Sequence, residues 1–354
     1  MKRVSGYALV VGLIGALKSF MLTPGHYEMM LRTRDPSEVL IPLRETVYQR
    51  VLPEAFEKTL DILDVERRLL THYYEVFHKV LTATPQSAKP LLEAIYGKHE
   101  LNCLKTIIRA LARNVDPTSA FKMIAPVGRY DAYTCKRILA TGSVPRVVEF
   151  VEEDLREAIL SYMAVFRRTG STVPIESVID KYAITRIWDS LRRLDNYDRK
   201  IVARLIGIET DTVNIMTVLR AKRIGMEAID IEGLIIPAYY WVTEDVLVQA
   251  ARAPSLSEAM KRLAETPYKE IVPTLSEEAE RALFTIEIEF KRRLALESTM
   301  VFQGSWFHVG ILLGFLNLKF YEINDLVTII NGKAEGVDIR NIRKALILHQ
   351  GGRL

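Results

Sequence analysis

The sequence predicts an all-α protein made of three related helical domains. A helix-like stretch recurs at a constant spacing: Thr106, Thr217 and Thr328 occupy the same place in it and are successively 111 residues apart. Apolar residues inside the stretch recur every three or four positions, which is the spacing of one buried helix face. Alternating apolar and polar runs flanked by hairpin turns, the usual sign of strands, are missing.

The repeated stretch covers residues 100–109, 211–220 and 322–331, and each copy opens with an acid. Three further positions hold an apolar residue in every copy: Leu104, Ile215 and Leu326; Ile107, Val218 and Ile329; and Ile108, Leu219 and Ile330. The period is far longer than the roughly 20–50 residues of common solenoid repeats, so each unit has the size of a small domain. Chance similarity among amphipathic helices is the alternative explanation.

Landmarks before the repeated stretch support the same period. A proline precedes each copy at a similar interval, at Pro24, Pro126 and Pro237. Two copies also share an acid–Thr–x–Tyr sequence, which ends at Tyr48 and at Tyr268. The first copy is the shorter one. The predicted domains are residues 1–113, 114–224 and 225–354.

The first predicted element is an apolar helix near the N-terminus. Residues 4–17 are rich in apolar side chains and follow Lys2 and Arg3, a composition that also occurs in signal peptides. The run is shorter than the roughly 20 apolar residues that span a bilayer, and no small-x-small cleavage site follows it. We interpret it as a buried N-terminal helix. The apolar run 309–316 is likewise too short, so no transmembrane span is predicted.

The elements that follow read in order as amphipathic helices. Mixed apolar and charged patterns predict them over residues 65–80, 101–111, 147–168, 178–194 and 277–296. The opening acids Glu100, Asp211 and Glu322 are expected at helix starts, where the positive end of the helix dipole favours negative charge. Thr210 is expected to cap the second of these helices.

Helix ends are predicted from breakers and cations. Pro117, Gly225, Gly332 and Gly336 are the expected terminators. Arg109 and Arg220 stand near the ends of their helices, where a cation suits the negative end of the dipole.

Composition excludes several functional classes. The formal net charge is +4 over 354 residues, and basic clusters stand beside acids, so a nucleic-acid surface is not predicted. Cys103 and Cys135 are isolated in the sequence, which fits a reducing compartment without a disulfide framework. Cys103 falls at a position held by Asn214 and Asp325 in the other copies, and we interpret it as a tolerated substitution.

Motifs of catalysis and cofactor binding are missing from the sequence. It contains no GxxxxGK[ST], GxGxxG, HExxH or GxSxG. Ser305 and His308 are close in sequence but lack the context of a catalytic pair, and the histidines are scattered without metal-ligand spacing. No catalytic residue, metal site or cofactor is predicted.

The repeated polar positions allow two interpretations. Each threonine could bond back to its own helix or pack between neighbouring helices. Alternatively, equivalent helix ends converge and contact an axial or ring-shaped partner. The candidate interface residues under this second interpretation are Glu100, Arg109, Asp211, Arg220, Glu322 and Lys333.

Several segments together resemble a known family. They are Tyr7-Ala-Leu, Lys18-Ser-Phe-Met-Leu-Thr-Pro-Gly-His-Tyr27, Glu100-Leu-Asn-Cys-Leu-Lys-Thr-Ile-Ile-Arg109, Glu322-Ile-Asn-Asp-Leu-Val-Thr-Ile-Ile-Asn-Gly-Lys333 and Ile339-Arg-Asn-Ile-Arg343. In order and spacing they resemble the C subunit of archaeal A-type and bacterial V-type ATP synthases, the family to which the d subunit of the eukaryotic vacuolar ATPase belongs. The chain departs from the family at Cys103, where an Asn is common, in the more apolar residues 10–16, and in the aromatic and glycine-rich residues 304–314.

The resemblance implies a funnel of three helical domains in a pseudo-threefold arrangement. It implies a non-catalytic central-stalk subunit that couples a coiled-coil shaft subunit, with its small companion subunit, to the membrane rotor ring of proteolipid subunits. Ion transport, of protons or sodium, would then occur in other subunits. The implied location is peripheral, on the cytoplasmic face of the membrane. A generic α-helical adaptor and a helical enzyme with dispersed active-site residues are the alternatives.

Overall fold

A computed structural model describes residues 2–52, 61–272 and 279–349. Within these ranges the regular structure is helical, and the only β feature is an isolated bridge between Val127 and Tyr130. The all-α prediction is confirmed.

The described ranges contain sixteen α-helices, which we number in chain order. Their bounds are α1 (Lys2–Ser19), α2 (Pro24–Arg32), α3 (Ile62–Ala83), α4 (Lys89–Ala112), α5 (Pro117–Lys122), α6 (Ala132–Ala140), α7 (Glu153–Ser161), α8 (Met163–Thr169), α9 (Val173–Leu191), α10 (Asn196–Arg223), α11 (Ala228–Leu234), α12 (Glu244–Arg252), α13 (Leu256–Ala264), α14 (Ala279–Met300), α15 (Val309–Ala334) and α16 (Ile339–Ala345). Short 3-10 helices cover Glu38–Leu40, Pro42–Glu45, Val47–Arg50 and Val144–Phe150.

The chain divides into two compact units. The first contains the described residues of 1–89 and 291–354, and the second contains those of 90–290. In the first unit α3 packs against α15, and in the second α9 packs against α10. The three predicted domains and their pseudo-threefold, funnel-shaped arrangement stay a prediction.

The 111-residue period reappears in the backbone at the ends of the long helices α4, α10 and α15. They end at Ala112, Arg223 and Ala334, so their ends share the period of the sequence. The same turn follows each helix, with a positive φ of 52° at Asn114, 71° at Gly225 and 66° at Gly336. The next backbone N–H then donates to the carbonyl five residues earlier, the main bond of a Schellman motif. These bonds are Val115 to Ala110 (3.0 Å), Met226 to Ala221 (3.1 Å) and Val337 to Gly332 (2.8 Å).

Short helices begin at the same place after each turn. Their first residues are Pro117, Ala228 and Ile339, and each follows an acid. Asp116 accepts backbone N–H bonds from Thr118 (3.1 Å) and Ser119 (3.0 Å), and Asp338 accepts one from Arg340 (2.8 Å). The carboxylates thereby satisfy N–H groups that have no partner within the helix.

The expected position of the opening acids at helix starts is wrong. Helices α4, α10 and α15 begin many residues before Glu100, Asp211 and Glu322, which therefore lie in helix interiors. Thr210 is not a cap either, because its hydroxyl donates to the carbonyl of Ile206 (2.7 Å) within α10.

Two further details differ from prediction. Gly332 does not end a helix: it lies inside α15, and a Cβ there would come within 2.7 Å of the Ile342 side chain, so the glycine permits α16 to pack closely. The helix predicted over 147–168 is instead three shorter pieces, the 3-10 helix Val144–Phe150 and helices α7 and α8.

The N-terminal helix α1 is buried on one face only. Tyr7, Val10 and Ile14 are buried, whereas Leu9 is 74% exposed, so the expectation of a buried helix holds for one stripe and is wrong for the rest. The segment Gly6–Arg32 is long and apolar enough to cross a membrane by length and composition. It is a weak indication, because a signal sequence passes the same test and because the helix is interrupted between α1 and α2.

Replacing Gly225 by Ala is expected to lower the free energy of unfolding by about 1–2 kcal/mol, because a left-handed conformation is costly for an L side chain. The space around Gly225 is open, so the cost is confined to the backbone. Gly97→Ala in α4, where the added Cβ also meets open space, is the matched control and should raise stability by about 0.5–1 kcal/mol. Calorimetric melting of both variants measures this. Equal shifts in one direction would contradict the positive-φ role.

Candidate functional site

The three repeated acids lie buried in the middle of the long helices. Glu100 is 8% exposed, and Asp211 and Glu322 are 0% exposed. Burying a carboxylate costs several kcal/mol unless donors surround it. Each acid meets this need with backbone N–H groups of a segment folded against its helix, and we call these three arrangements the acid sockets.

The Asp211 socket is built mainly by backbone. Its carboxylate accepts N–H bonds from Tyr240 (3.1 Å), Trp241 (2.7 Å) and Val242 (3.3 Å). The Tyr268 hydroxyl donates a fourth bond at 2.9 Å. Burial raises the pKa of Asp211 above its usual range, although the four donors favour the ionised form and oppose this shift.

The Glu322 socket adds a buried cation. Its carboxylate accepts bonds from the Leu22 N–H (2.5 Å), the Tyr48 hydroxyl (2.6 Å) and the Lys319 Nζ (2.8 Å). Lys319 Nζ also donates to the Tyr48 oxygen at 2.8 Å, so the three side chains form a closed triangle. Burial, and then the negative charge of Glu322, raise the pKa of Tyr48 well above its usual range, which keeps the phenol protonated as a donor.

The segments that supply donors to Glu322 and Asp211 correspond residue by residue at an offset of 220. Leu22 corresponds to Val242 and Tyr48 to Tyr268, while α2 and α12 are both nine residues long and follow Thr23 and Thr243. The turn before each tyrosine is also the same. Thr46 and Thr266 each donate to the carbonyl three residues earlier at 2.6 Å and accept the tyrosine N–H at 3.2 Å.

This offset corrects the alignment of Pro24 with Pro237. Pro24 is the first residue of α2 and therefore corresponds to Glu244, the first residue of α12. The N-terminal segment thus supplies hydrogen-bond donors to the acid of α15, as the segment after α11 does to the acid of α10.

The Glu100 socket replaces the tyrosine with a guanidinium. Glu100 accepts the backbone N–H of Arg129 at 2.9 Å and its Nε at 3.0 Å. Gly128 lies against the carboxylate with φ +50°, and a Cβ there would come within 1.8 Å of Glu100 Oε1, so only glycine fits. Arg129 also pairs with Glu152, which accepts further bonds from Tyr182 and Arg186.

A second set of repeated contacts lies near the helix ends. Arg109 bonds Glu176 and Arg220 bonds Glu287, in both cases at 2.5 Å and across 67 residues. Asn331 occupies the third position and donates to Glu66 at 2.5 Å. Burial raises the pKa of Glu66, whereas the bonds from Arg109 outweigh burial and lower the pKa of Glu176. The exchange of Arg for Asn therefore changes the electrostatics of the third copy.

Lys333 binds the C-terminal end of α2. Its Nζ donates to the carbonyls of Leu31 (2.7 Å) and Thr33 (2.6 Å). Lys222, 111 residues earlier, makes the equivalent contacts with Ala251 and Ala253 at the end of α12. A cation suits these unsatisfied carbonyls.

The position of Cys103 is held by Asn214 in the second copy and by Asp325 in the third. Both residues bond their long helix to a backbone segment that follows it. Asn214 accepts the N–H of Ile236 (2.8 Å) and donates to its carbonyl (3.1 Å). Asp325 accepts the N–H groups of Ile347 (2.6 Å) and Leu348 (2.9 Å). Burial raises the pKa of Asp325 to about 7.

A cavity of about 510 Å³ lies beside the Glu100 socket in the second unit. Its walls carry charges of both signs, including Lys98, Glu100, Arg129, Glu152 and Arg186. Within the described ranges, no group of three or more His, Cys, Asp or Glu side chains is placed to hold a metal ion.

All six candidate interface residues make contacts within the chain. Glu100, Asp211 and Glu322 are centres of the acid sockets, and Arg109, Arg220 and Lys333 bind near helix ends. Their contact with a partner stays a prediction.

The bond from the Thr106 hydroxyl to the Asn102 carbonyl (3.2 Å) fits the interpretation that this threonine bonds back to its helix. Sequence reasoning missed the roles of Tyr48, Tyr268 and Lys222, although the first two belong to a repeated landmark.

Tyr268→Phe is expected to lower the free energy of unfolding by about 1.5–3 kcal/mol, because a buried carboxylate loses one donor. Tyr48→Phe should cost more, at least about 3 kcal/mol, because Lys319 loses an acceptor as well. Calorimetric melting ranks the two variants. Tyr133→Phe, which removes a hydroxyl from a mostly exposed side chain, is the control and should change little. A smaller loss at Tyr48 than at Tyr268 would contradict the triangle.

Asp325→Asn is expected to gain stability relative to the unmodified chain as pH rises from about 4 to 7. The pKa of Asp325 is about 7 in the fold against 3.8 in the unfolded chain, so the unmodified protein loses up to about 4 kcal/mol over this interval. Above pH 7 the difference should stay constant. The pKa of His72 is lowered by burial to about 4, which gives the opposite slope, but it cancels between the two proteins. A pH-independent difference in melting would refute the assignment.

Comparisons with known proteins find similarity over most of the chain. The C subunit of the A-type ATP synthase of Methanocaldococcus jannaschii is 21% identical over 347 residues, covering 96% of this chain and 86% of the relative. That of Methanothermobacter thermautotrophicus is 25% identical over 81% of this chain and 75% of the relative, and that of Methanosarcina mazei is 21% identical over 98% and 94%. The profile of the ATP synthase (C/AC39) subunit family matches residues 10–345. The chain therefore belongs to the ATP synthase (C/AC39) subunit family.

Proposed function

We propose that this chain is the non-catalytic central-stalk subunit that joins a coiled-coil shaft, with its small companion subunit, to the membrane rotor ring of an A/V-type ATP synthase. Family membership makes it part of an ATP synthase complex. The coupling role goes further and has its own support in the acid sockets. We place the protein on the cytoplasmic face, peripheral to the membrane, with proton or sodium transport in other subunits.

The observation that carries the proposal is the recurrence of one contact set in three copies. In each copy a long helix holds a backbone segment through a buried acid: Glu100 at residue 129, Asp211 at residues 240–242 and Glu322 at residue 22. Equivalent restraints give equivalent local surfaces, which suit contact with a ring of identical subunits.

Rigidity is the second support. Transmitting torque requires that helices keep their positions under load. Charge-assisted hydrogen bonds to buried carboxylates are about twice as strong as neutral ones, and removing one partner leaves an unpaired buried charge. The sockets therefore resist movement between each long helix and the segment folded against it.

The cavity beside Glu100 is the feature that an enzyme would use. Its charged groups already bind one another, since Arg129 contacts Glu100 and Glu152, and Arg186 contacts Glu152. Glu152 and Arg186 are also 43% and 52% exposed, which gives them little of the desolvation that tunes catalytic acids and bases. The cavity thus favours a structural network over a reaction site.

The first test is co-elution of the purified chain with the coiled-coil shaft subunit and, separately, with detergent-solubilised rotor ring. We expect both to be captured, because a coupler must hold both at once. Capture of neither by folded protein would overturn the proposal and favour the α-helical adaptor. Capture of only one partner would overturn the coupling role while leaving a stalk subunit.

Variants then test the predicted contact residues. Arg109→Ala and Arg220→Ala should weaken capture severalfold if these helix ends meet a partner. Arg192→Ala, an exposed arginine just after α9, is the matched control and should leave capture unchanged. Melting temperatures identify any loss that comes from unfolding. Unchanged capture by the first two variants would remove them from the interface.

A further inference from the structure

The fold brings together the two cysteines that are far apart in the sequence. Cys103 lies in α4 and Cys135 in α6, 32 residues later, and their Sγ atoms are 3.8 Å apart. Both side chains are buried, at 5% and 0% exposure. The two thiols are therefore isolated in the sequence but in contact in the fold, each on a different helix.

The other two copies show what this position does when it is polar. Asn214 and Asp325 tie their helices by hydrogen bonds to residues 236 and 347, each 22 positions further on. A thiol is a weak donor and acceptor and is a poor substitute for this tie. In the first copy the residue 22 positions on is Ala125, and Cys103 faces Cys135 of α6, ten positions beyond it.

We propose that Cys103 and Cys135 are a modification site at which a hydroperoxide forms an intramolecular disulfide. Thiol sulfurs in contact at 3.8 Å need to move by less than 2 Å to reach the roughly 2.0 Å of a bond, which side-chain rotation and a small helix shift supply. The disulfide would fix α4 to α6 by a covalent bond. This proposal does not depend on the coupling function.

The position of Cys135 in the first turns of α6 distinguishes the two thiols. The helix dipole there favours a thiolate. The hydrogen bond from the Cys103 thiol lowers the pKa of Cys135 in the same direction, while burial and the nearby Asp131 oppose that shift. The Cys135 thiol also donates to the Tyr130 carbonyl at 3.2 Å, a bond that must break when the thiolate forms. From this placement we assign Cys135 as the attacking thiolate and Cys103, inside α4, as the resolving thiol.

The reaction balances with hydrogen peroxide as oxidant. The Cys135 thiolate attacks one peroxide oxygen, the O–O bond breaks, and the leaving hydroxide takes a proton to become water. The Cys103 sulfur then attacks the sulfenic sulfur of Cys135, the S–S bond forms, and the sulfenic oxygen leaves as a second water. Two thiols lose two electrons and two protons, and one peroxide becomes two waters.

The test treats the folded full-length chain with one equivalent of hydrogen peroxide, removes the excess, and then unfolds the chain in denaturant to alkylate the remaining thiols. The chain has two cysteines, so we expect free thiols to fall from two to none. Intact mass should drop by two hydrogens, and a non-reducing peptide map should join the peptides of Cys103 and Cys135. The oxidised chain should also melt about 5 °C higher than the reduced one. Retention of both thiols, addition of oxygen without a cross-link, or an intermolecular dimer would overturn the proposal.

Two variants separate the disulfide from other effects of oxidation. Cys135→Ala removes the attacking thiol, so its melting temperature should not respond to peroxide. Cys103→Asn introduces the residue of the second copy and should likewise lose the response. A peroxide-induced rise in melting temperature in either variant would show that stabilisation does not come from the cross-link. The thiol count of the unmodified chain decides the outcome even if a variant fails to fold.

Discussion

The structure depends on the burial of three carboxylates inside long apolar helices. A helix interior has no free N–H groups, because each already bonds within the helix, so a buried acid must obtain donors from outside. In each acid socket these donors come from a backbone segment that packs against the helix beside the acid. This requirement places the segments at residues 129, 240–242 and 22, and the helices that follow them are positioned as a consequence.

The same constraint is met in three different ways. Asp211 has a short side chain and collects three neighbouring backbone N–H groups and one phenol. Glu100 uses one backbone N–H and the guanidinium of Arg129, at the edge of a cavity. Glu322 uses one backbone N–H, a phenol and Lys319, so its charge is balanced within the socket. The copies have therefore kept the restraint on the backbone while exchanging the side chains that complete it.

The sequence predicts the helices well because their signal is local. The apolar columns, Pro117, Gly225 and Gly336 mark positions that the structure repeats at the same period. The acids are misplaced by sequence reasoning because an acid before an apolar run looks like a helix start, although in α4 the helix begins at Lys89 and Glu100 follows well inside it. Their backbone partners lie 29 to 300 residues away, and no periodic pattern reports such distances. The contact between the two cysteines is not predicted for the same reason, because a separation of 32 residues matches no known cysteine motif.

The Glu322 socket closes a much longer stretch of chain than the other two sockets. Glu322 meets Leu22 across 300 residues, whereas Glu100 and Asp211 reach their partners across 29. The entropy of closing a chain grows with the logarithm of its length, so the longer closure costs about 2 kcal/mol more. The buried cation of Lys319 and its bond to Tyr48 are found only in this socket among the three, and charge-assisted bonds of this kind contribute about as much. The added ion pair is therefore of the right size to offset the cost of the long-range closure.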